Sequence, residues 1–323
     1  MPDIVTITNE FPKAAVARLQ ERFDVHYNAT GTPFSEEELA GAAGVSAALI
    51  TYLSDKIGAG MIEKGQKLKI IANYGAGYNN IDVAAARARG VWVANTPGVL
   101  HETTADLTWA MLLAASRRLA PADRFTRQGQ FHGWGAGLFL GHDVFGKTLG
   151  IIGCGEIGQA VARRALGFRM RVLYHQRNRL PEKTERELGA EFVALDKLLR
   201  DADFVSLHVP LTAATRHMIG DAQLALMKPT AYLVHAARGK VVDDRALVRA
   251  LREGRIAGAA LDVYEDEPVL TAGMTELDNL LLLPHIGSAS HETRDKMAHL
   301  VVDNVIDALD GRTPRSLVPD WNG

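Results

Sequence analysis

Three polar residues stand where strand-like runs of the chain end: Arg238 in LVHAARGKVVD, Glu267 in ALDVYEDEPV and His285 in LLLPHIGSAS. Their chemistry is complementary. An arginine clamps a carboxylate through two parallel hydrogen bonds and polarises a neighbouring carbonyl. A histidine gives a proton to a carbonyl oxygen and takes one back in the reverse direction. A carboxylate beside the histidine favours the imidazolium. Each residue alone also has an ordinary explanation. Arg238 has Asp243 nearby as an ion-pair partner, Glu267 fits a surface turn before Pro268, and His285 fits a satisfied core position. Pro268 also biases the residue before it towards extended backbone. Joint placement is what favours function. In a parallel sheet the carboxyl ends of the strands face the ligand crevice, so all three can converge there.

A glycine turn supplies the missing reactant. In IIGCGEIGQAVARRA, Gly153-x-Gly155-x-x-Gly158 follows an apolar strand and opens a helix. That context is what a dinucleotide fingerprint requires. The first glycine permits the tight turn, the second lets pyrophosphate approach the backbone, and the third lets helix and strand pack closely. Unpaired N–H groups of the helix N-terminus meet the phosphates. Hydride then comes from a nicotinamide cofactor. Cys154 reads as a compact buried spacer rather than a reactive thiol. Glu156 repels a pyrophosphate unless it faces solvent.

The following strand indicates which nicotinamide. An NAD site places an acid about 20 residues on, to bond the ribose hydroxyls. Here Arg171–Tyr174 is followed by His175, Gln176, Arg177, Asn178 and Arg179. Between Glu156 and Glu182 there are six arginines and no acid. Arg163, Arg164, Arg169 and Arg171 read as a solvated helix face and strand edge. Arg177 and Arg179 are placed to grip a 2′-phosphate. NADP(H) is therefore the expected cofactor, with NAD(H) as the alternative.

These residues need a scaffold, and the pattern provides one. Strand candidates Ile4–Thr8, Ala47–Thr51, Lys69–Asn73 and Val91–Asn95 alternate with helical segments Pro12–Arg22, Ser35–Ala43, Gly58–Lys64 and Ile81–Arg89. Ser35 and Glu38 form a capping-box start. A second series runs through Leu149–Ile152, Arg171–Tyr174, Phe204–His208, Tyr232–Ala236, Gly258–Val263 and Leu280–Leu283. Thr103–Arg118 and Ser290–Leu309 are longer helix candidates, and FHGWGAGLFLG at Phe131–Gly141 is a glycine-rich connection. Strands alternating with helices imply parallel sheets covered on both faces.

Composition narrows the classes. The chain has 323 residues, which suggests about two domains, laid end to end if length alone decides. A formal charge of −2 lacks the basic excess of a general nucleic-acid binder. No apolar run approaches the roughly 18 residues of a membrane helix. MPDIVTITNE has neither a basic start nor a long apolar region, so no secretory signal is expected. One cysteine forms no internal disulfide, and no histidine pairs with carboxylates at metal-ligand spacing, so no metal is expected. A soluble cytoplasmic α/β protein is the expectation. The charge balance averages over an arginine-only stretch beside the glycine turn.

At this point the motifs form a recognisable set. NYGAGYNNID (73–82), VANTPGVLHETTADLTWAMLLAASRR (93–118), GKTLGIIGCGEIGQA (146–160), DFVSLHVPLTAATRHMI (203–219), ARGKVVDDRAL (237–247), GAALDVYEDEP (258–268) and LPHIGSAS (283–290) occur in family order over most of the chain. The chain resembles the D-2-hydroxyacid dehydrogenase family, and most of all its glyoxylate/hydroxypyruvate reductase branch. The resemblance places Arg238, Glu267 and His285 on the family's catalytic residues. It puts Asp262 on the nicotinamide amide, Thr104 near the cofactor, and Pro210 and Thr215 in the loop beside the adenosine. Glu156, Ile157, Ala236 and Gly287 complete the implied cofactor contacts. Leu53, Ala76 and Gly77 fall on loops that hold the substrate carboxylate through backbone N–H groups, with Ser288 beside them.

The resemblance also implies the architecture: a Rossmann cofactor domain, residues 99–288, inserted in a flavodoxin-like substrate domain, residues 1–98 plus 289–323. Both are doubly wound parallel sheets. Pro97–Leu100 and Gly287–Ser290 are the expected hinges beside the cleft. A homodimer is implied, with Trp134 and Phe139 on an arm reaching the partner. Three positions depart from the family pattern. His235 stands where Asn is usual, Glu156 replaces an Arg, and Gln176 replaces the acid of NAD users. Ala76 argues against phosphite oxidation, whose enzymes carry Lys there, and Glu267 argues against formate oxidation, whose enzymes carry Gln. The expected activity is reduction of glyoxylate and hydroxypyruvate. The alternatives are a dinucleotide-sensing corepressor on the same fold, and a dehydrogenase of D-lactate or phosphoglycerate.

Overall fold

A computed structural model describes residues 2–321 of the chain. The chain divides into two compact units, Met1–Leu100 with Ser288–Gly323, and His101–Gly287.

The first unit is built on five parallel strands: β1 Ile4–Ile7, β2 Asp24–Tyr27, β3 Ala48–Thr51, β4 Ile70–Asn73 and β5 Trp92–Ala94. They lie in the order β2-β1-β3-β4-β5. This is a doubly wound order. Strands β3 and β4 are buried along their whole length, as continuous apolar runs covered on both faces must be. Ser35 and Glu38 do form a reciprocal capping box for the helix Glu36–Val45. The chain's last segment closes the unit. Helix His291–Leu309 is tied to the first helix, Lys13–Gln20, by the ion pair Arg18–Asp303 at 2.6 Å. Beyond it, Val318 N donates to Val93 O at 3.0 Å and Trp321 Nε1 to Val91 O at 2.8 Å.

Seven parallel strands form the second unit: β6 Thr148–Ile152, β7 Arg171–His175, β8 Ala190–Phe192, β9 Phe204–Leu207, β10 Tyr232–His235, β11 Gly258–Leu261 and β12 Leu280–Leu282. Their order is β12-β11-β10-β9-β6-β7-β8. The order reverses between β6 and β9, which is where an open α/β sheet binds its ligand. Alternation along each strand feeds two cores. Tyr232, Val234 and Ala260 join one apolar cluster, while Leu233, Ala259 and Leu261 join another. Helix His101–Ser116 covers the first, with Trp109 Nε1 donating to Val161 O at 3.1 Å.

Among the elements that sequence reading did not place are β2, β8 and the helix Leu119–Arg127. Both strands are sheet edges, so only one flank pairs and their residues are polar or half exposed. The helix buries no residue, so no core-facing stripe marks it. It starts from Arg118 in the left-handed region at φ 55°, which ends the preceding helix at Ser116, two residues short of the expected end.

Candidate active site

All strands of the second unit run parallel, so their carboxyl ends share one edge of the sheet. The glycine turn follows β6, Gln176–Arg179 follows β7, Pro210 lies just past β9, Arg238 past β10, Asp262 directly after β11 and His285 past β12.

Each glycine of the turn does a different job. Gly153 lies at φ 91°, and a Cβ there would come within 2.8 Å of the Val209 backbone. Gly158 leaves no room either, because its Cβ would fall on the Gly153 carbonyl oxygen. Gly155 differs: it is the N-cap of helix Glu156–Ala165, and a Cβ would meet nothing within 4 Å. Open space against bare helix N–H groups is the cradle a pyrophosphate needs. Ile157 is half-buried in the first turn, and the Glu156 side chain is exposed, so solvent is open to its carboxylate. Burial pushes the Cys154 thiol up to about 12, so it stays an inert spacer.

Beyond β7, Gln176 folds back on the turn. Its Oε1 accepts from Cys154 N at 2.9 Å, and its Nε2 donates to Asn178 O at 2.7 Å. Arg179 is clamped to Glu185, Nε to Oε1 at 2.9 Å and Nη2 to Oε2 at 2.8 Å. Arg179 and the Tyr174 hydroxyl hold the Glu185 carboxyl down at about 2. Arg177 is exposed in the same loop. The two arginines that sequence reading grouped together are therefore in different situations: the Arg179 charge is already paired. The other four arginines are on the surface. Arg163 and Arg164 pair with Glu102, Arg171 pairs with Glu191, and Arg169 lies over the Phe145 ring.

On the other side of the switch point, His285 and Glu267 meet. His285 Nδ1 bonds Glu267 Oε2 at 2.8 Å, and Glu267 Oε1 accepts from Tyr264 N at 2.9 Å. Both carboxylate oxygens are thus committed. Burial pushes Glu267 up, but the His285 bond and charge, the Tyr264 amide and Arg238 outweigh it and hold the carboxyl below its usual range. His285 sits at φ 55°, a backbone conformation that side-chain-bearing residues seldom adopt and that recurs at functional sites. The Glu267–Pro268 peptide is cis, which sequence reading did not anticipate.

Arg238 is half-buried, with Nη1 donating to Ala237 O at 2.6 Å. Burial lowers its pKa, and the Glu267 charge offsets only part of that. Asp243 instead caps the next helix by accepting from Ala246 N at 2.9 Å. Asp262 is buried; its Oδ1 accepts from Ile286 N at 2.7 Å, and burial pushes its carboxyl up. A Cβ on Gly287 would lie 3.3 Å from Asp262 Oδ2 and 3.5 Å from Thr104 Cγ2, so these three residues cluster. Ala236 is half-buried directly after β10. In the loop after β9, Thr215 Oγ1 donates to Pro210 O at 2.6 Å.

In the first unit, Leu53 Cδ2 would lie 3.0 Å from a Cβ on Gly75. The carbonyls of Ala76 and Gly77 accept from Asn95 Nδ2 at 2.7 Å and Asn73 Nδ2 at 2.6 Å, which fixes that loop. Ser288 accepts at its carbonyl from Ser290 N at 3.0 Å.

Tyr264 is the positioning residue that sequence reading missed. Its amide orients Glu267, and its hydroxyl donates to Leu283 O at 2.6 Å, two residues before His285. It lies inside the DVYEDEP motif, but only the fold shows that it ties the two segments together. Among the described residues no group of three His, Cys, Asp or Glu side chains is placed to hold a metal, and no helix is long and apolar enough to cross a membrane.

Comparison with known proteins gives the family. Residues 109–287 match the family model of the D-isomer specific 2-hydroxyacid dehydrogenase, NAD binding domain. The chain is 50% identical over 318 residues to a glyoxylate reductase of Thermococcus onnurineus, covering 97% of this chain and 95% of the relative. A crystal structure of a glyoxylate reductase from Paecilomyes thermophila superposes with a TM-score of 0.87 at 34% identity, over 99% of both chains. An NADPH-dependent glyoxylate/hydroxypyruvate reductase of Sinorhizobium meliloti, solved with NADP and malonate, gives 0.86 at 30% identity over 99% of this chain and 98% of that one. A glycine turn at the switch point of a doubly wound sheet, a Glu–His pair past its far strands, and these matches over nearly the whole length lead to one assignment: the chain belongs to the D-isomer specific 2-hydroxyacid dehydrogenase family.

Proposed function

We propose that this protein reduces small 2-keto acids, glyoxylate and hydroxypyruvate first, to 2-hydroxy acids, using NADPH in preference to NADH. The observation that carries the reading is the 2.8 Å bond between His285 Nδ1 and Glu267 Oε2, in the same unit as Arg238 and the glycine turn. With Nδ1 taken, Nε2 is the nitrogen left for substrate. When bound, the reduced nicotinamide supplies the hydride to the keto carbon. His285 Nε2 donates its proton to the keto oxygen, and Glu267 stabilises the imidazolium before that transfer. In the reverse direction the neutral ring accepts the hydroxyl proton. Arg238 clamps the carboxylate and polarises the adjacent carbonyl. Leu53, Ala76, Gly77 and Ser288 are the further carboxylate contacts that the family resemblance implies.

Gly153, Gly155, Ile157 and Gly158 would receive the pyrophosphate, and Pro210 and Thr215 would flank the adenosine. Asp262 Oδ2, with Thr104, Ala236 and Gly287, would receive the carboxamide. Arg177 would meet a 2′-phosphate, with Gln176 and Asn178 beside it and Arg179 as a paired strut. Relatives whose names state glyoxylate or NADPH support both parts of the reading. We also read the protein as a homodimer. Support comes from the connection after the helix Leu119–Arg127, where Trp134 is 88% and Leu140 70% exposed. Phe139 is engaged by its own chain, against Phe125 and Arg118. Dependence on a soluble nicotinamide pool supports a cytoplasmic location.

The test is a panel of glyoxylate, hydroxypyruvate and pyruvate, each assayed with NADPH and with NADH. The highest kcat/KM is expected for glyoxylate or hydroxypyruvate with NADPH. If neither cofactor is oxidised with any of these acids, the reading is wrong.

A further inference from the structure

His235 occupies the last position of β10 and is completely buried. Its Nε2 lies 3.0 Å from the carbonyl oxygen of Arg238. A carbonyl only accepts, so Nε2 must carry the proton. Nδ1 is then a bare acceptor, and it is buried without a hydrogen-bond partner. Leaving such an atom unsatisfied forfeits its hydration with nothing in exchange. A leucine would fill the same space without that cost, so volume alone does not account for an imidazole here. The Nε2 bond does.

The segment it holds has little freedom. Gly239 follows, and a Cβ there would fall on the Tyr264 carbonyl oxygen. Tyr264 in turn orients Glu267. The Arg238 turn is therefore wedged against the Glu267 segment on one side and tied to the His235 ring on the other. Three ionisable groups act on the ring: Arg238, Glu267, and His208 just past the neighbouring strand β9. Burial pushes His235 down to about 4, against its backbone hydrogen bonds and Glu267, so the ring is neutral throughout the working range. His208 is also held neutral by burial, with its Nε2 at 2.8 Å from Ser206 Oγ.

We propose that His235, as the neutral Nε2–H tautomer, is a positioning residue for Arg238: it fixes the carbonyl of that residue and so the backbone from which the guanidinium is aimed. The inference rests on the reading of Arg238 as the carboxylate clamp. It also gives a physical reason for the histidine that replaces the usual asparagine in this chain.

The experiment compares His235→Leu, which has no donor, with His235→Gln, whose amide nitrogen reaches about as far as Nε2. His235→Leu should raise the glyoxylate KM by about ten-fold (~1.4 kcal/mol). Its NADPH Kd, read by cofactor fluorescence, should stay within about two-fold, since no cofactor contact is lost. His235→Gln should restore the KM to within about three-fold of the parent. Equal losses in both variants, or a parallel loss of NADPH binding, would mean that the ring only fills space, and would overturn the proposal. A readout on the unaltered protein covers the case where His235→Leu does not fold. Imidazole nitrogen resonances, assigned by the signal missing in His235→Gln, should show the Nε2–H tautomer from about pH 5 to 8. An Nδ1–H ring overturns the bond whatever the activity. If the parent reduces no keto acid, the functional reading falls, and the tautomer still decides the bond.

Discussion

Two arginines only one residue apart can have unlike fates, and Arg177 and Arg179, with Asn178 between them, illustrate it. Arg179 spends its charge on Glu185, whereas Arg177 stands exposed after β7. Discrimination for a 2′-phosphate should therefore reside mainly in Arg177. Replacing Arg177 by Ala removes a charge-assisted contact of about 1.5–3 kcal/mol, so the NADPH KM should rise roughly 10- to 100-fold. The NADH KM should move little, and steady-state kinetics with both cofactors reads the difference. Equal shifts would remove the 2′-phosphate role. The candidate residues could be proposed from the sequence because each sits beside a glycine or proline in a loop past a strand: Arg238 before Gly239, Glu267 before Pro268, His285 after Pro284. What orients them could not. The Tyr264 amide on Glu267 and the His235 ring on the Arg238 carbonyl are through-space relations that spacing does not encode. The split between Arg177 and Arg179 was hidden for the same reason, since Glu185 only meets Arg179 once the next helix is in place.

At the scale of elements, the β6–turn–helix segment separates two demands that one glycine pattern hides. Gly158 is needed for the fold, because a side chain would strike the Gly153 carbonyl. Gly155 is needed only for what binds, because a side chain there meets open space. Gly158→Ala should lower stability by about 1–3 kcal/mol, as overpacking does, and lose cofactor affinity with it. Gly155→Ala should keep the parent Tm and still lose cofactor affinity. Thermal melts with and without NADPH distinguish the two. A fall in Tm for Gly155→Ala would show that this glycine serves the turn rather than the ligand. The central strands were readable because burial on both faces makes them continuous apolar runs. Edge strands β2 and β8 were not, because Asp24–Tyr27 and Ala190–Phe192 carry polar residues and bury little. Charged residues on an edge discourage unwanted strand pairing, and the same residues conceal the strand from a pattern based on hydrophobicity.

At the scale of the whole molecule, length suggested two domains end to end, whereas one unit is continuous and the other is assembled from both ends of the chain. Solvent also meets a group of large apolar side chains, Phe131, Trp134, Leu138 and Leu140, on one connection. Clusters of that kind mark contact surfaces. The double substitution Trp134→Asp, Leu140→Asp should shift a dimer to monomer in sedimentation velocity without changing the far-ultraviolet circular dichroism. A dimer unaffected by both changes would place the contact elsewhere. The bonds from Val318 and Trp321 to Val93 and Val91 have a further consequence. During synthesis residues 2–100 leave the ribosome before residues 101–287, yet the edge of their sheet waits for Val318 and Trp321, which follow both. The inserted unit is complete before then, and domains generally fold as they emerge. The unit that begins before the inserted one is thus completed after it, and a nascent chain stalled before Val318 carries one closed unit and one still open along β5.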